Sequence, residues 1–142
     1  MNYILREAQR LLKEFGTSNP RELAEYLDIT VIKFPFAKLR GIYCKIKDQK
    51  FAVINSNLSI EEEKYTLLHE IAHARLHPQT NYFAINEDKL IVSGKYEFQA
   101  DLFASALYLL ETPDEYKAVA GTQLLNKIPE TYLRKIISNF KI

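Results

Sequence analysis

The sequence is poor in several features, and each shortage removes a class of protein. Cys44 is the one cysteine in 142 residues, so no internal disulfide can hold the fold together. It sits in an apolar, strand-like stretch and reads as a buried reduced thiol. Four glycines and five prolines are too few for a collagen-like or linker-like chain. Neither charge dominates: 19 Lys and Arg face 18 Asp and Glu, for a net charge of +1. A chain so balanced offers no broad basic face for nucleic acid. Long apolar runs are missing as well. The longest, residues 103–110, is broken by Ser105, and a membrane span needs roughly 18 apolar residues or more. The first residues show no basic region followed by an apolar stretch, so no signal peptide is expected. The default reading is a cytoplasmic protein that touches neither membrane nor nucleic acid directly.

What is present is 47% hydrophobic and 12% aromatic, too apolar for disorder. A chain of this length suits one domain with a single core. Apolar residues Ile4, Ala8, Leu11, Leu12 and Phe15 recur at helical spacing and Gly16 follows, which predicts a helix over 2–15. Asn19 before Pro20 reads as an N-cap and opens a short helix over 20–27. Residues 29–34, 41–46 and 51–54 are strand candidates, with Asp48-Gln49 as the turn of a hairpin. Ser59-Ile60-Glu61-Glu62 has the form of a capping box. It opens a helix that should run to about His77, because Pro78 follows. A second strong helix covers about 94–110. Residues 78–93 show no clean period, and 113–140 reads as two or three short helices. The expected fold is α+β. A small twisted sheet of about three strands packs against two central helices, with helices flanking it at both ends. The expected organisation is one domain over 1–142, with a core at about 19–110 and a helical tail at 111–142.

His69-Glu70-Ile71-Ala72-His73 lies inside the capped helix. Four residues turn a helix by about 400°, so the two imidazoles stand about 40° apart and one turn apart in height. Both can reach one ion. Glu70 projects beside it and can contact a water there. A catalytic zinc site needs a third protein ligand and an open position. Leu76 and Gln79 occupy the places where a longer version of the motif has glycine and a third histidine. His77 continues the series of four but lies one turn too far, where the helix dipole favours it. Glu97, early in the second helix, is the better third ligand. Ala100 and Ala104 on its face allow close approach. Asp101, one turn on, can hold the second ring nitrogen of a ligand histidine. His77, Tyr82 and Tyr96 are the local choices for an oxyanion or substrate contact. Zinc is the expected ion, and manganese or iron suits the same ligands.

These residues resemble the ImmA/IrrE-type metallopeptidases over about residues 19–110. The similarity runs through Asn19-Pro20, Leu23-Ala24, the strand 29–34, Gly41-Ile42-Tyr43 and Val53-Ile54-Asn55. It continues through residues 67–77 around the His pair, and residues 97–104 are similar to the family's E-x-x-A-[DN]-x-F-A signature. The Glu97 to Asp101 spacing also resembles thermolysin-like enzymes, where the glutamate binds zinc and the aspartate supports a ligand histidine. Ala72 stands where the family often has glycine, and Pro113 is displaced from the usual end of the second helix. The resemblance implies a zinc-dependent endopeptidase. Its substrate would be a helix-turn-helix repressor of a phage or mobile element, encoded nearby. An edge strand at 51–55 is the candidate to pair with an extended substrate segment. The alternative is a metal-binding protein that regulates a transcription factor without cleaving it. A small DNA-binding regulator is a weaker rival. It rests on Lys127, Arg134, Lys135 and Lys141 in the tail, where Leu133, Ile136, Ile137 and Phe140 read instead as the buried face of a closing helix.

Overall fold

The computed structural model describes residues 2–78 and 94–111. Helix α1 (Asn2–Phe15) ends at Gly16, whose φ of +69° is the left-handed conformation that closes helices. The Gly16 N–H donates to the Leu12 carbonyl at 2.8 Å. In α2 (Pro20–Tyr26) the Asn19 side chain accepts from the Glu22 N–H at 3.0 Å, and Leu27 caps the far end. Three strands follow: β1 (Ile29–Phe34), β2 (Gly41–Ile46) and β3 (Gln49–Asn55). They form a mixed sheet in the order β1-β3-β2. β1 runs parallel to β3, from Ile29 opposite Lys50 to Phe34 opposite Asn55. β2 runs antiparallel to β3, from Gly41 opposite Ile54 to Ile46 opposite Gln49.

Two expectations are corrected here. The hairpin turn is Lys47-Asp48, not Asp48-Gln49. Lys47 takes the positive φ of 56°, and Gln49 already pairs with Ile46. The strand at 51–55, expected as a free edge for an extended substrate, is instead part of the central strand. The parallel partner β1, brought in from earlier in the chain, closes its other side.

Helix α3 (Ile60–Leu76) starts with the capping box in place. Ser59 Oγ accepts from the Glu62 N–H, and Glu62 Oε1 accepts from the Ser59 N–H, each at 3.2 Å. Residues 65–73 are all buried except half-buried His69. α3 is thus enclosed on most of its circumference, as a central helix must be. It packs against α4 (Gly94–Glu111), against β2 and β3, and against α2. Ala100, Leu102, Phe103, Ala104, Ala106 and Leu107 of α4 are fully buried. α1 covers α4 with Ile4, Leu5, Ala8 and Leu11 in the core. Each large apolar side chain so buried contributes roughly 1.5–3 kcal/mol. No helix among the described residues is long and apolar enough to cross a membrane. The stretch 79–93 and the tail from 112 onward lie outside the described residues.

Two contacts bring the sheet to α3. A Cβ at Gly41 would lie 2.9 Å from Thr66 Cγ2 and 3.1 Å from the Val53 carbonyl, so only glycine lets β2 come this close to the helix. Buried Asn55 ties down the segment between β1 and β2. Its Nδ2 donates to the carbonyls of Phe36 at 3.2 Å and Leu39 at 2.9 Å, and its N–H donates to Arg40 O at 2.7 Å.

Removing the cap with Ser59→Ala should lower stability by about 1 kcal/mol in urea denaturation. Gly41→Ala should cost about 1–3 kcal/mol by overpacking. Adding Thr66→Ser to it, which removes the clashing methyl, should restore part of that loss in the same measurement.

Candidate metal centre

The packing of α3 on α4 brings three ligand atoms together. His69 Nε2 lies 3.2 Å from His73 Nε2. The Glu97 carboxylate reaches across from α4 to both, with Oε2 3.1 Å from His69 Nε2 and Oε1 2.8 Å from His73 Nε2. Ligand atoms set tetrahedrally at ~2.0–2.1 Å from one zinc are separated by roughly 3.3 Å, so this triangle has nearly the right size. Donor atoms of His69, Glu70 and His73 also lie within 4.8 Å of one another.

Asp101 lies behind His69. Its Oδ1 lies 2.9 Å from His69 Nδ1. It also accepts from the Tyr65 hydroxyl at 2.7 Å. A carboxylate oxygen accepts, so the proton on His69 belongs at Nδ1 and a neutral ring turns its Nε2 lone pair to the cleft. Two imidazole nitrogens and a carboxylate then face one another at about van der Waals distance or less. Such a cluster is stable only around a cation, and the donor chemistry therefore suits a metal ion. With no metal, a proton takes that place. Burial pushes the His69 pKa down, but hydrogen bonds to Asp101 and Glu97 and the nearby Glu70 charge outweigh it and raise it to about 10. Burial raises the Glu97 pKa, but hydrogen bonds from both histidines overcome this and hold it well below the usual carboxylate range. Burial lowers His73, only partly opposed by Glu97.

Glu70 is only 5% exposed. Burial lifts its pKa to about 7, against the pull of the His69 charge and of a hydrogen bond from the Tyr43 backbone. Its carboxyl therefore titrates near neutrality, in the range that suits an acid–base group. It lines a cleft of about 250 Å³. Residues 38–43 form one side of the lining, and Tyr65, Thr66, His69, His73, Glu97 and Asp101 supply the remainder. Among the described residues β2 is an edge strand, and because Arg40 O accepts from Asn55 N–H, the alternation of the ladder turns the Gly41 and Tyr43 main chain away from β3. The Tyr43 bond to Glu70 fits that direction.

The other expected residues are placed as follows. His77 is buried at 5% exposure and caps α3. It does not line the cleft; its Nδ1 lies 3.1 Å from His73 Nδ1, on the far side of that ring from Glu97. Tyr96 stacks on His77, with centroids 4.0 Å apart and planes at 19°, and is likewise absent from the cleft lining. The expectation that His77 or Tyr96 contacts an oxyanion or substrate is corrected, because α4 covers His77 through Tyr96 and Gln99, away from the cleft. Tyr82 lies outside the described residues. Sequence reasoning missed Tyr65 and Gln99. Tyr65 was findable, since it stands four residues before His69 on the same helical face; Gln99 carried no local signal.

The Peptidase M78 family, described as an IrrE N-terminal-like domain, matches residues 24–123. The chain belongs to that family of metallopeptidases. It is 31% identical over 110 residues to "Metallopeptidase ImmA" of Bacillus subtilis (strain 168), a match covering 76% of this chain and 64% of that protein. It is 43% identical over 102 residues to "Uncharacterized immunity region protein 2" of Bacillus phage phi105, covering 71% of this chain and 65% of that one. The match thus spans slightly under two thirds of either relative.

Metal binding should expel a proton. His69 is held protonated above its ordinary pKa of 6.5, so below about pH 10 the entering ion must displace that proton. Calorimetric titration with zinc at pH 7.5, in buffers of different ionisation enthalpy, should show release of about one proton per ion. Affinity should rise as pH rises. Binding with no proton release would contradict the assignment.

Proposed function

We propose that this protein is a zinc-dependent endopeptidase acting in the cytoplasm. The observation that carries the reading is the meeting of His69, His73 and Glu97 atoms at 2.8–3.2 Å beside a buried Glu70 in one cleft. His69, His73 and Glu97 would hold the ion, and Asp101 orients His69. When bound, zinc supplies Lewis acidity, which lowers the pKa of water and polarises a peptide carbonyl. Glu70 takes the proton of the attacking water and delivers it to the leaving amide nitrogen. Burial, which raises its pKa to about 7 in the metal-free cleft, moves the carboxyl toward the range an acid–base group needs. The outward main chain of β2 offers an extended substrate a strand to pair with, alongside Glu70.

The relatives support a substrate class. One is named a metallopeptidase, and the other belongs to a phage immunity region. A helix-turn-helix repressor of a phage or mobile element, encoded near this protein, is the substrate we infer. Mn2+ and Fe2+ suit the same ligands, and the test below uses zinc.

The decisive substitution is Glu70→Gln. It should cut cleavage of the neighbouring repressor by about 10²–10⁴-fold while zinc content, measured by elemental analysis, stays at the parent level. Fragments identified by mass spectrometry would locate the scissile bond. Equal cleavage by parent and variant would overturn the role of Glu70. A repressor left intact by the zinc-loaded parent would overturn the substrate.

A further inference from the structure

His69 and His73 are supported differently. Behind His69 stands the charged Asp101. Behind His73 stands a second imidazole, His77, and behind that the amide of Gln99. His73 Nδ1 lies 3.1 Å from His77 Nδ1, and His77 Nε2 lies 2.7 Å from Gln99 Oε1. The amide oxygen accepts, so the single proton of a neutral His77 belongs on Nε2. Its Nδ1 is then a lone pair, and the bond to His73 requires the proton on His73 Nδ1. With an ion held in the cleft, that leaves His73 Nε2 as the lone pair that faces it, in place of the bond it donates to Glu97 at 2.8 Å without one. The packing holds the chain of bonds in line. His77 is buried and stacked against Tyr96, and Gln99 sits on α4 two residues beyond Glu97.

We propose that Gln99 and His77 are positioning residues that fix His73 in its ligating tautomer through a neutral imidazole–amide relay. This rests on the reading of His73 as a metal ligand. A ligand histidine commonly donates its second N–H to a carboxylate, carbonyl or water, which makes the ring more basic and fixes its plane. A carboxylate behind His73 would add a fourth carboxylate to a site that already holds Glu70, Glu97 and Asp101. The uncharged relay orients the ring without that charge and leaves the ion more electrophilic.

The test uses the full chain. Zinc affinity is measured by competition with a chromophoric chelator, and nitrogen-15 spectra of the zinc-loaded protein report which ring nitrogens carry protons. Gln99→Leu, at a half-buried position, should weaken zinc about 10–100-fold, while the metal-free protein still unfolds cooperatively in urea, at a midpoint lowered by the loss of one buried hydrogen bond. Gln99→Glu keeps the acceptor and should restore affinity to the parent level or above. His77→Phe keeps the stack on Tyr96 but removes both hydrogen bonds, and should weaken zinc at least as much as Gln99→Leu. In the parent, His77 should carry its proton on Nε2. A His77 protonated on Nδ1, or a Gln99→Leu variant that binds zinc as the parent does, would overturn the relay and leave the peptidase reading standing. A parent that binds no zinc would overturn both.

Discussion

The arrangement depends on one close approach: the carboxylate of Glu97 must come within about 3 Å of two imidazoles on a different helix. That is an ordinary distance for hydrogen-bonded polar groups, and it is reached here where α3 packs on α4. Ala72 on one helix and Ala100 and Ala104 on the other have no exposed surface at all. The apolar contact around them supplies the energy, and the polar cluster draws on it. Glu70, Glu97 and Asp101 share one cleft, Glu70 buried and Glu97 partly exposed, and a charge taken from water costs several kcal/mol unless compensated. An excess of carboxylates over cations in so small a volume is the electrostatic signature of a site made for a positive ion. The raised pKa of His69 and that of Glu70 express the same imbalance from two sides: the cluster holds protons when it holds nothing else.

The sheet has a narrower task, which is to bring β2, an outer strand among the described residues, to that cleft. β3 is spent on internal pairing with both neighbours. Gly41 brings β2 against Thr66, and Asn55 fastens residues 36–40 so that they form the opposite wall. The outward Tyr43 main chain meets Glu70, so strand edge and acid–base group are in register by direct contact. Ion pairs at the surface, such as Arg75 with Glu14 at 3.1 Å, brace α1 on α3 but are worth little individually.

Local signals in the sequence located most of these parts. The caps at Asn19 and Ser59, the stop at Gly16 and the spacing of His69, His73, Glu97 and Asp101 all act within a few residues or one helix face, and each stands where its local pattern put it. The failures share a cause. Choosing Asp48-Gln49 as the turn followed side-chain preference, whereas the ladder registered Gln49 with Ile46 and left Lys47 to take the positive φ. The edge assigned to 51–55 failed because strand order is set by a parallel pairing with residues some twenty positions earlier. Gln99 was invisible because its partner is on another helix, and nothing in the local pattern marks a glutamine as an acceptor for a histidine 22 residues before it.

The four-residue ladder on α3 explains why some of its members ligate and others support. Tyr65, His69, His73 and His77 follow one another at 400° per step, so each turns about 40° beyond the last and rises about 6 Å. An ion can be shared by neighbours, and the middle pair takes it. The outer members are rotated a further 40° to either side, too far to reach the same point. They are well placed to meet what lies beside the two rings. Tyr65 reaches the carboxylate that holds His69, and His77 reaches the back of His73 directly. One periodicity therefore sets both the ligands and their supports. The two histidines become inequivalent because α4, whose repeat starts from Glu97, presents Asp101 to one and, through His77, Gln99 to the other.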